Sequence, residues 1–499
     1  MKRMSALLPA LALLLALAAC TPSGEGSETT GPTASPQESQ QAAEVPFSLP
    51  FYPSASLHPT ESANRSNLTL MPLLYEELFQ LDQSFQPQPV LCQSYTASED
   101  GLTWVFTLRA GITFSDGTPL TARQAADSLL AAQAGQRYAS RFSSVVSIEA
   151  TGELELTVTL SSPNGALPAL LDLPIYLETE AGQYLGTGPY VLTRTEDAWT
   201  LTAREGWWQG LELPQENIPL TAMEQTEDLV HAFDTREIGL VTTDLTGTGA
   251  VGFSSTYEVW DYDTTDFLYL MFNTRSGPCA DLTLRLGLSR GVDRTSIATS
   301  LFSRRVTEAT LPVSPASPLY DESIGAALNY SVEEMDLLLS RWEQTRPLVF
   351  LVNSESSFKT SAAQFLAEQW EGAGVEVQVE SVGWEEYLSR LEDGDFDVCL
   401  AEAVLTPDFD LTALLGTGGA LNYGGWSDAR TDNLLAAFRA AGTDARADAA
   451  GALYTHLTEQ APITPICFKH HSVLTQWRAV TGLTPTQSNA FYGLNWSVS

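Results

Sequence analysis

The sequence predicts an α/β protein assembled from more than one structural unit. Three observations carry that prediction. In the last third, apolar runs of strand length at 347–352, 375–379 and 396–400 alternate with helical segments at 361–370 and 384–391. Strand, helix, strand, helix, strand with short links argues for a mostly parallel sheet covered by helices, and such sheets carry ligands at the carboxyl ends of their strands. Near the start, residues 102–108 and 154–160 alternate apolar and polar side chains, the period of strands with one buried face. Finally, the 499-residue chain leaves roughly 450 residues once an N-terminal leader and tether are set aside, more than one hydrophobic core serves.

The leader is the first element. Lys2 and Arg3 precede an apolar run over 6–19, interrupted only by Pro9, and small residues lead to Cys20. That order reads as a signal peptide over residues 1–19, with a core too short to span a bilayer. Leu17-Ala18-Ala19-Cys20 resembles the lipobox of bacterial lipoproteins, which implies lipidation of Cys20; an ordinary secretory signal with a coincidental cysteine is the other reading. Residues 20–45 follow with no aromatic residue and only Val45 as a large aliphatic, too little apolar surface to offset the entropy of ordering, and read as a tether. No second apolar run reaches the ~18 residues of a membrane span, so lipid is the only expected anchor.

Beyond the tether, an apolar segment ends in Tyr75-Glu76-Glu77-Leu78-Phe79, and the alternating strand 102–108 follows. Ser115 to Pro119 has turn composition, and Thr121 suits the N-cap of a helix through Ala126, Leu129 and Leu130. With the strand at 154–160, these form a compact α/β unit closing near residue 182. Gly186-Thr187-Gly188-Pro189-Tyr190 precedes two short strands at 191–193 and 199–203; no lysine or helix start follows it, so it is a structural turn and not a phosphate loop. Residues 267–273 form a nearly continuous apolar strand, and 282–297 is helical with a break near Gly291. The helix at 361–370 sets Ala362, Phe365, Leu366 and Trp370 on one face.

Composition narrows function. Lys and Arg number 25 against 61 Asp and Glu, a formal net charge of −36. Such a surface repels phosphate backbones and anionic headgroups, which argues against nucleic-acid binding and keeps an exported protein soluble. Cys92, Cys279, Cys399 and Cys467 show no local metal-ligand spacing; their apolar contexts favour free buried thiols, although an even count permits disulfides. The five histidines are unaccompanied by a Gly-x-Ser-x-Gly elbow or a His-Glu-x-x-His pair, so an enzyme is not expected. Asp408 and Asp410 are a carboxylate pair of the kind that chance supplies among 61 acids. His470 and His471, adjacent on a strand, point to opposite faces and cannot chelate one metal ion together. No cofactor is expected.

An ordered series of motifs runs through the chain: Tyr75-Glu76-Glu77-Leu78-Phe79, Ser98 to Trp104, Leu108 to Ala122, Gly186 to Tyr190, Glu205-Gly206-Trp207-Trp208, Phe272-Asn273, Arg285 with Asp293-Arg294, Trp384 with Tyr387, and Ala461-Pro462. In that order they resemble the bacterial extracellular solute-binding proteins of family 5, the peptide- and nickel-binding group that serves ABC importers, over about 47–496. The resemblance implies a periplasmic-binding-protein-like type II two-lobed clamp with an extra inserted α/β domain. Lobe I would comprise 46–60, 183–274 and 469–499, the insert 61–182, and lobe II 275–468. It further implies a monomer that takes an oligopeptide, or another medium-sized solute, between the lobes and presents the closed form to ABC permease subunits. The protein would sit in the cell envelope, on the outer face of the cytoplasmic membrane or in the periplasm. A receptor for a non-peptide solute or a nickel-type metal chelate, or a sensor that retains the clamp, is the alternative.

Mapped from the family, the pocket residues are Asn64, Arg65, Asn353, Glu402, Asp408, Asn422, Tyr423 and Trp426. Arg65 could hold a ligand carboxylate or simply be solvated, and Trp426 could equally be a packed aromatic before a helix capped by Asp428. Two departures matter. Dipeptide-binding members carry an arginine where Asn353 stands, and an aspartate shortly after a tryptophan where 401–408 has no tryptophan, leaving Glu402 as the nearest substitute. A site unable to neutralise both termini should discriminate against free dipeptides, since a buried unpaired charge costs on the order of several kcal/mol.

Overall fold

The computed structural model describes residues 47–196 and 198–498. The leader, Cys20 and the tether lie outside the described residues. Its frame is set by two long antiparallel strands, Tyr257–Phe272 and Ile463–Gln476. In the second half of the first, Phe267, Tyr269 and Met271 enter one core while Leu268, Leu270 and Phe272 enter another. A strand covered on both faces has no polar side to show, which explains the unbroken apolar run.

These strands belong to a seven-stranded sheet ordered Leu240–Thr243, Ile463–Gln476, Tyr257–Phe272, Val398–Val404, Leu348–Asn353, Val377–Val382, with Val306–Glu308 also paired to Ile463–Gln476. Only Leu348–Asn353 and its two neighbours are parallel; the other pairings are antiparallel. The expected mostly parallel sheet is thus corrected to a mixed one. The strand–helix–strand repeat governs direction only within 348–404, and the remaining strands arrive from distant segments.

Midway along Tyr257–Phe272 the pairing breaks. Asp263 pairs with His470 and Phe267 with Phe468, so Thr264, Thr265 and Asp266 stand opposite Lys469 alone. All three are buried. The Thr264 hydroxyl donates to the Lys469 carbonyl (2.7 Å) and accepts from the Asp266 amide (3.0 Å), while the Thr265 amide donates to Gln487 Oε1 (2.9 Å). A bulge whose buried groups are bonded in this way is a stable feature of the sheet. Before it, Trp260 and Tyr262 pack on the first lobe's core around Phe51, Tyr190 and Phe491; after it, the strand lies in the second lobe's cores.

The first lobe contains a sheet ordered Leu49–Phe51, Asn217–Ala222, Trp199–Ala203, Tyr190–Arg194. The helix Arg65–Leu74 packs on it, capped by Asn64, whose Oδ1 accepts from the Asn67 amide (3.0 Å). Buried Asn67 in turn exchanges two hydrogen bonds with the Tyr52 backbone. Gly186 and Gly188 lie against the end of this helix: a Cβ at Gly186 would fall 1.9 Å from the Leu74 carbonyl oxygen. The Gly-Thr-Gly turn is structural for that reason.

Residues between the helix and this turn fold onto a separate core, an antiparallel sheet of Cys92–Ala97, Thr103–Leu108, Glu155–Leu160 and Val145–Ala150 covered by the helix Ala122–Ala134. Trp104, Phe106 and Leu108 are the buried members of the alternating strand, and Thr121 caps the helix in a box with Gln124. The chain enters and leaves this unit side by side, Glu76–Glu77 pairing with Pro174–Ile175. The four cysteines in the described residues are free and buried; burial pushes the Cys399 thiol up to about 12 and Cys92 to about 11. No described helix is long and apolar enough to cross a membrane.

Candidate functional site

A cavity of about 560 Å³ lies where the two lobes and the inserted unit meet. The helix Arg65–Leu74 contributes Arg65 and Thr69, the inserted unit Arg137, Arg141 and Asp172, and the long strands Tyr262, Asp266 and His471; segments 404–407 and 486–490 complete it. Thr69 is fixed across the first lobe by a 2.6 Å hydrogen bond to Thr242. The guanidiniums of Arg137 and Arg141 each sit 5.1 Å from the Tyr138 ring, and each is held by a backbone carbonyl, Ser62 (2.9 Å) and Asp172 (2.8 Å) respectively. The described lining therefore carries both signs of charge, from segments spread over most of the chain.

Beside the cavity, at the bulge, lies a charge network. Lys469 donates to Asp244 (2.8 Å) and Glu402 (3.3 Å), and Lys359 pairs with Glu402 (2.8 Å). Burial lowers the Lys469 pKa, but Glu402 and Asp244 outweigh it and hold the ammonium above its usual range; burial raises Asp244, and Lys469 brings it below. His471 Nε2 lies 3.0 Å from Asp266 and 3.8 Å from Asp244. Asp244, Asp266 and His471 bring ligating atoms within 4.8 Å of one another, yet Asp244 is already neutralised by an ammonium, so the group reads as an ion-pair network and not a metal centre.

Of the eight mapped residues, Arg65 lines this cavity, and it is exposed. Asn64 caps its helix. Glu402 is occupied by its two lysines. Asn353, 5% exposed at a strand end, accepts from the Glu355 amide (2.8 Å). Asn422 staples its own loop through Gly416 and Trp426, Tyr423 packs on the second lobe's core, and Trp426 donates to Thr431 beneath the Arg285 guanidinium. Asp408 lines a separate cavity of about 590 Å³ and accepts from Asn164 of the inserted unit (3.0 Å). The sequence reading did not single out Arg137, Arg141, Glu77, Asp172 or the 486–490 loop. Glu77 and Asp172 carried a signal, each as a carboxylate inside an apolar stretch.

Two lobes joined by a pair of continuous strands, with a charged cavity at their junction, define a ligand-binding clamp. The description "Bacterial extracellular solute-binding proteins, family 5 Middle" matches residues 86–422, and the chain belongs to that family. Among similar proteins, the probable deoxycholate-binding periplasmic protein YgiS of Escherichia coli is 23% identical over 86% of this chain and 90% of its own. The oligopeptide-binding protein OppA of Bacillus subtilis is 21% identical over 80% and 81%. The periplasmic murein peptide-binding protein MppA of Escherichia coli is 23% identical over 83% and 85%. An unliganded open form of MppA superposes on this fold with a TM-score of 0.76 at 20% identity, covering 92% of this chain and 98% of that one.

Proposed function

We propose that this protein captures an oligopeptide in the cavity between its lobes and presents the closed form to the permease subunits of an ABC importer. The observation that carries this reading is the cavity lining: Arg65, Arg137 and Arg141 offer partners for carboxylates, while Glu77, Asp172 and Asp266 offer partners for cations. A peptide is a medium-sized solute with both charges at its ends and hydrogen-bonding groups between them. A volume of about 560 Å³ falls in the range of sites that enclose small ligands. Similarity to OppA and MppA supports the choice of peptide over other solutes; YgiS marks the non-peptide solute that the test must be able to detect.

Calorimetry with a panel of free dipeptides and of tri- to pentapeptides tests this. Longer peptides are expected to bind measurably and dipeptides weakly or not at all, and Arg65→Ala should weaken binding with little change in the unliganded melting temperature, because Arg65 is exposed. Tight binding across the dipeptides would overturn the ligand class, as would binding of bile acids or metal chelates in place of any peptide.

The same reading places the protein on the outer face of the cytoplasmic membrane or in the periplasm, held by lipid on Cys20 and acting as a monomer. Its support is the box Leu17-Ala18-Ala19-Cys20 and the polar stretch that follows. Cys20→Ser should release a folded protein into the soluble envelope fraction or medium. A variant that is exported and still sediments with membranes would overturn the anchor.

A further inference from the structure

One wall of the cavity gathers buried acceptors for which the protein supplies few donors. Glu77 and Asp172 stand at the neck where the inserted unit's chain enters and leaves, with Glu77 opposite Pro174 across the two-residue ladder. They are 6% and 4% exposed, and both line the cavity. Their neighbour Glu76 is satisfied, accepting from Trp208 Nε1 and Gln209 Nε2, each at 2.8 Å. Glu77 has no side-chain donor of that kind among the described residues, and Asp172 Oδ1 is buried with no partner. Arg141, the nearest cation, is directed to backbone carbonyls of Leu170 and Asp172.

A second observation comes from a distant part of the chain. Thr486, 4% exposed, and Ser488 line the same cavity, and the hydroxyl of each is buried without a partner. The loop holding them is fixed by reciprocal backbone hydrogen bonds between Thr486 and Asn489. Buried polar groups are nearly always paired, so two carboxylates and two hydroxyls left open on one cavity call for a group rich in donors. Burial holds both carboxyls above the usual carboxylate range, Glu77 further raised by the charges of Asp172 and Glu76, Asp172 against the pull of Arg141 and of the nearby Ser488 hydroxyl and Leu81 amide. An incoming cation would favour their ionised forms and lift that penalty.

We infer that this wall is the seat of a primary ammonium of the ligand, received by Glu77 and Asp172 with the Thr486 and Ser488 hydroxyls as further acceptors. An ammonium carries three N–H donors on one compact charge, which suits acceptors converging from separate segments; a planar guanidinium would satisfy them less evenly. The ammonium is the peptide's N-terminus or a lysine side chain. Arg65, which comes from the helix Arg65–Leu74 and not from this wall, is then the partner for a ligand carboxylate. This inference rests on the peptide reading and extends it by assigning the ligand's orientation and its required charge.

The test uses calorimetry on the full chain with pentaalanine, N-acetyl-pentaalanine and an N-acetylated pentapeptide containing one lysine, alongside butylamine, 1,4-diaminobutane and 1-butanol. Acetylation should weaken binding at least tenfold if the N-terminus is seated, and the internal lysine should restore it if a side chain can be. Glu77→Gln and Asp172→Asn should each abolish the preference for the ammonium form, while unliganded Glu77→Gln melts no lower than wild type at neutral pH. A purely structural role would lower the melting temperature and leave the preference intact, which overturns the inference. Peptides that bind equally with and without an ammonium overturn it and spare the peptide reading. Amines that bind in a Glu77-dependent manner where no peptide does would sustain the seat and sink the peptide reading. Binding of neither overturns both.

Discussion

Asp428 illustrates how a single carboxylate serves the fold beside the site. It caps the helix Ala429–Ala440, accepting from the Thr431 amide and hydroxyl, and lies 2.8 Å from His456 Nε2. Burial raises its pKa, but the hydrogen bonds from His456 and Thr431 outweigh that and bring it to about 2. The folded value lies below the unfolded one, so the stabilisation is present above about pH 4 and lost as pH falls towards 2. Asp428→Ala should therefore cost about 1 kcal/mol at neutral pH, with the gap to wild type closing across that acid window in denaturant titrations. A gap that persists unchanged at pH 2 would show that packing, not charge, is at stake. The same neighbourhood shows what the sequence could disclose. Trp426 before Asp428 had two readings, and its bond to Thr431 under Arg285 fits the packed aromatic. Glu402 could not be read as occupied, because Lys359 and Lys469 come from far along the chain.

At the scale of elements, the helix Arg65–Leu74 depends on closeness of approach. Its end is crossed by Gly188, where a Cβ would lie 2.6 Å from the Leu74 carbonyl carbon and 2.8 Å from the Leu73 carbonyl oxygen. Backbone cannot yield as a flexible side chain does, so Gly188→Ala should destabilise by about 1–3 kcal/mol. Because this helix carries Arg65 into the cavity, ligand affinity should fall with it. Calorimetric melting checks the first effect and peptide titration the second; an unshifted melt would refute the close contact. The element types themselves were legible where one face or both were buried: the alternation at Thr103–Leu108, the capped helix Ala122–Ala134 and the repeat from Leu348 to Val404 all appear. The strands Cys92–Ala97 and Val145–Ala150 were not, since most of their residues are exposed and give little period to read.

For the whole molecule, the two strands joining the lobes make closure a bending of continuous backbone. The bulge at Thr264–Thr265–Asp266 is where one strand changes its surroundings from one lobe's core to the other's. A ligand touching both lobes stabilises the closed arrangement by its differential affinity. At about 100 times its dissociation constant it should add about 2.7 kcal/mol of stability, and small-angle scattering should report a smaller radius of gyration. Bound ligand with an unchanged radius would rule closure out. The clamp as a whole was recognisable from the ordered motifs, but the cavity was not, for its walls gather residues from positions as distant as Arg65 and Ser488 and no local pattern links them. The position of Ile463–Gln476 has a consequence in time. This strand is flanked in the sheet by Leu240–Thr243, Val306–Glu308 and Tyr257–Phe272, yet it follows all three in the chain. Neither lobe's part of that sheet can be completed before Ile463–Gln476 has been made, and such long-range pairing is slow to form. Until then the three partner strands stand without the one that joins them, so the sheet linking the lobes assembles around a strand that arrives after its neighbours.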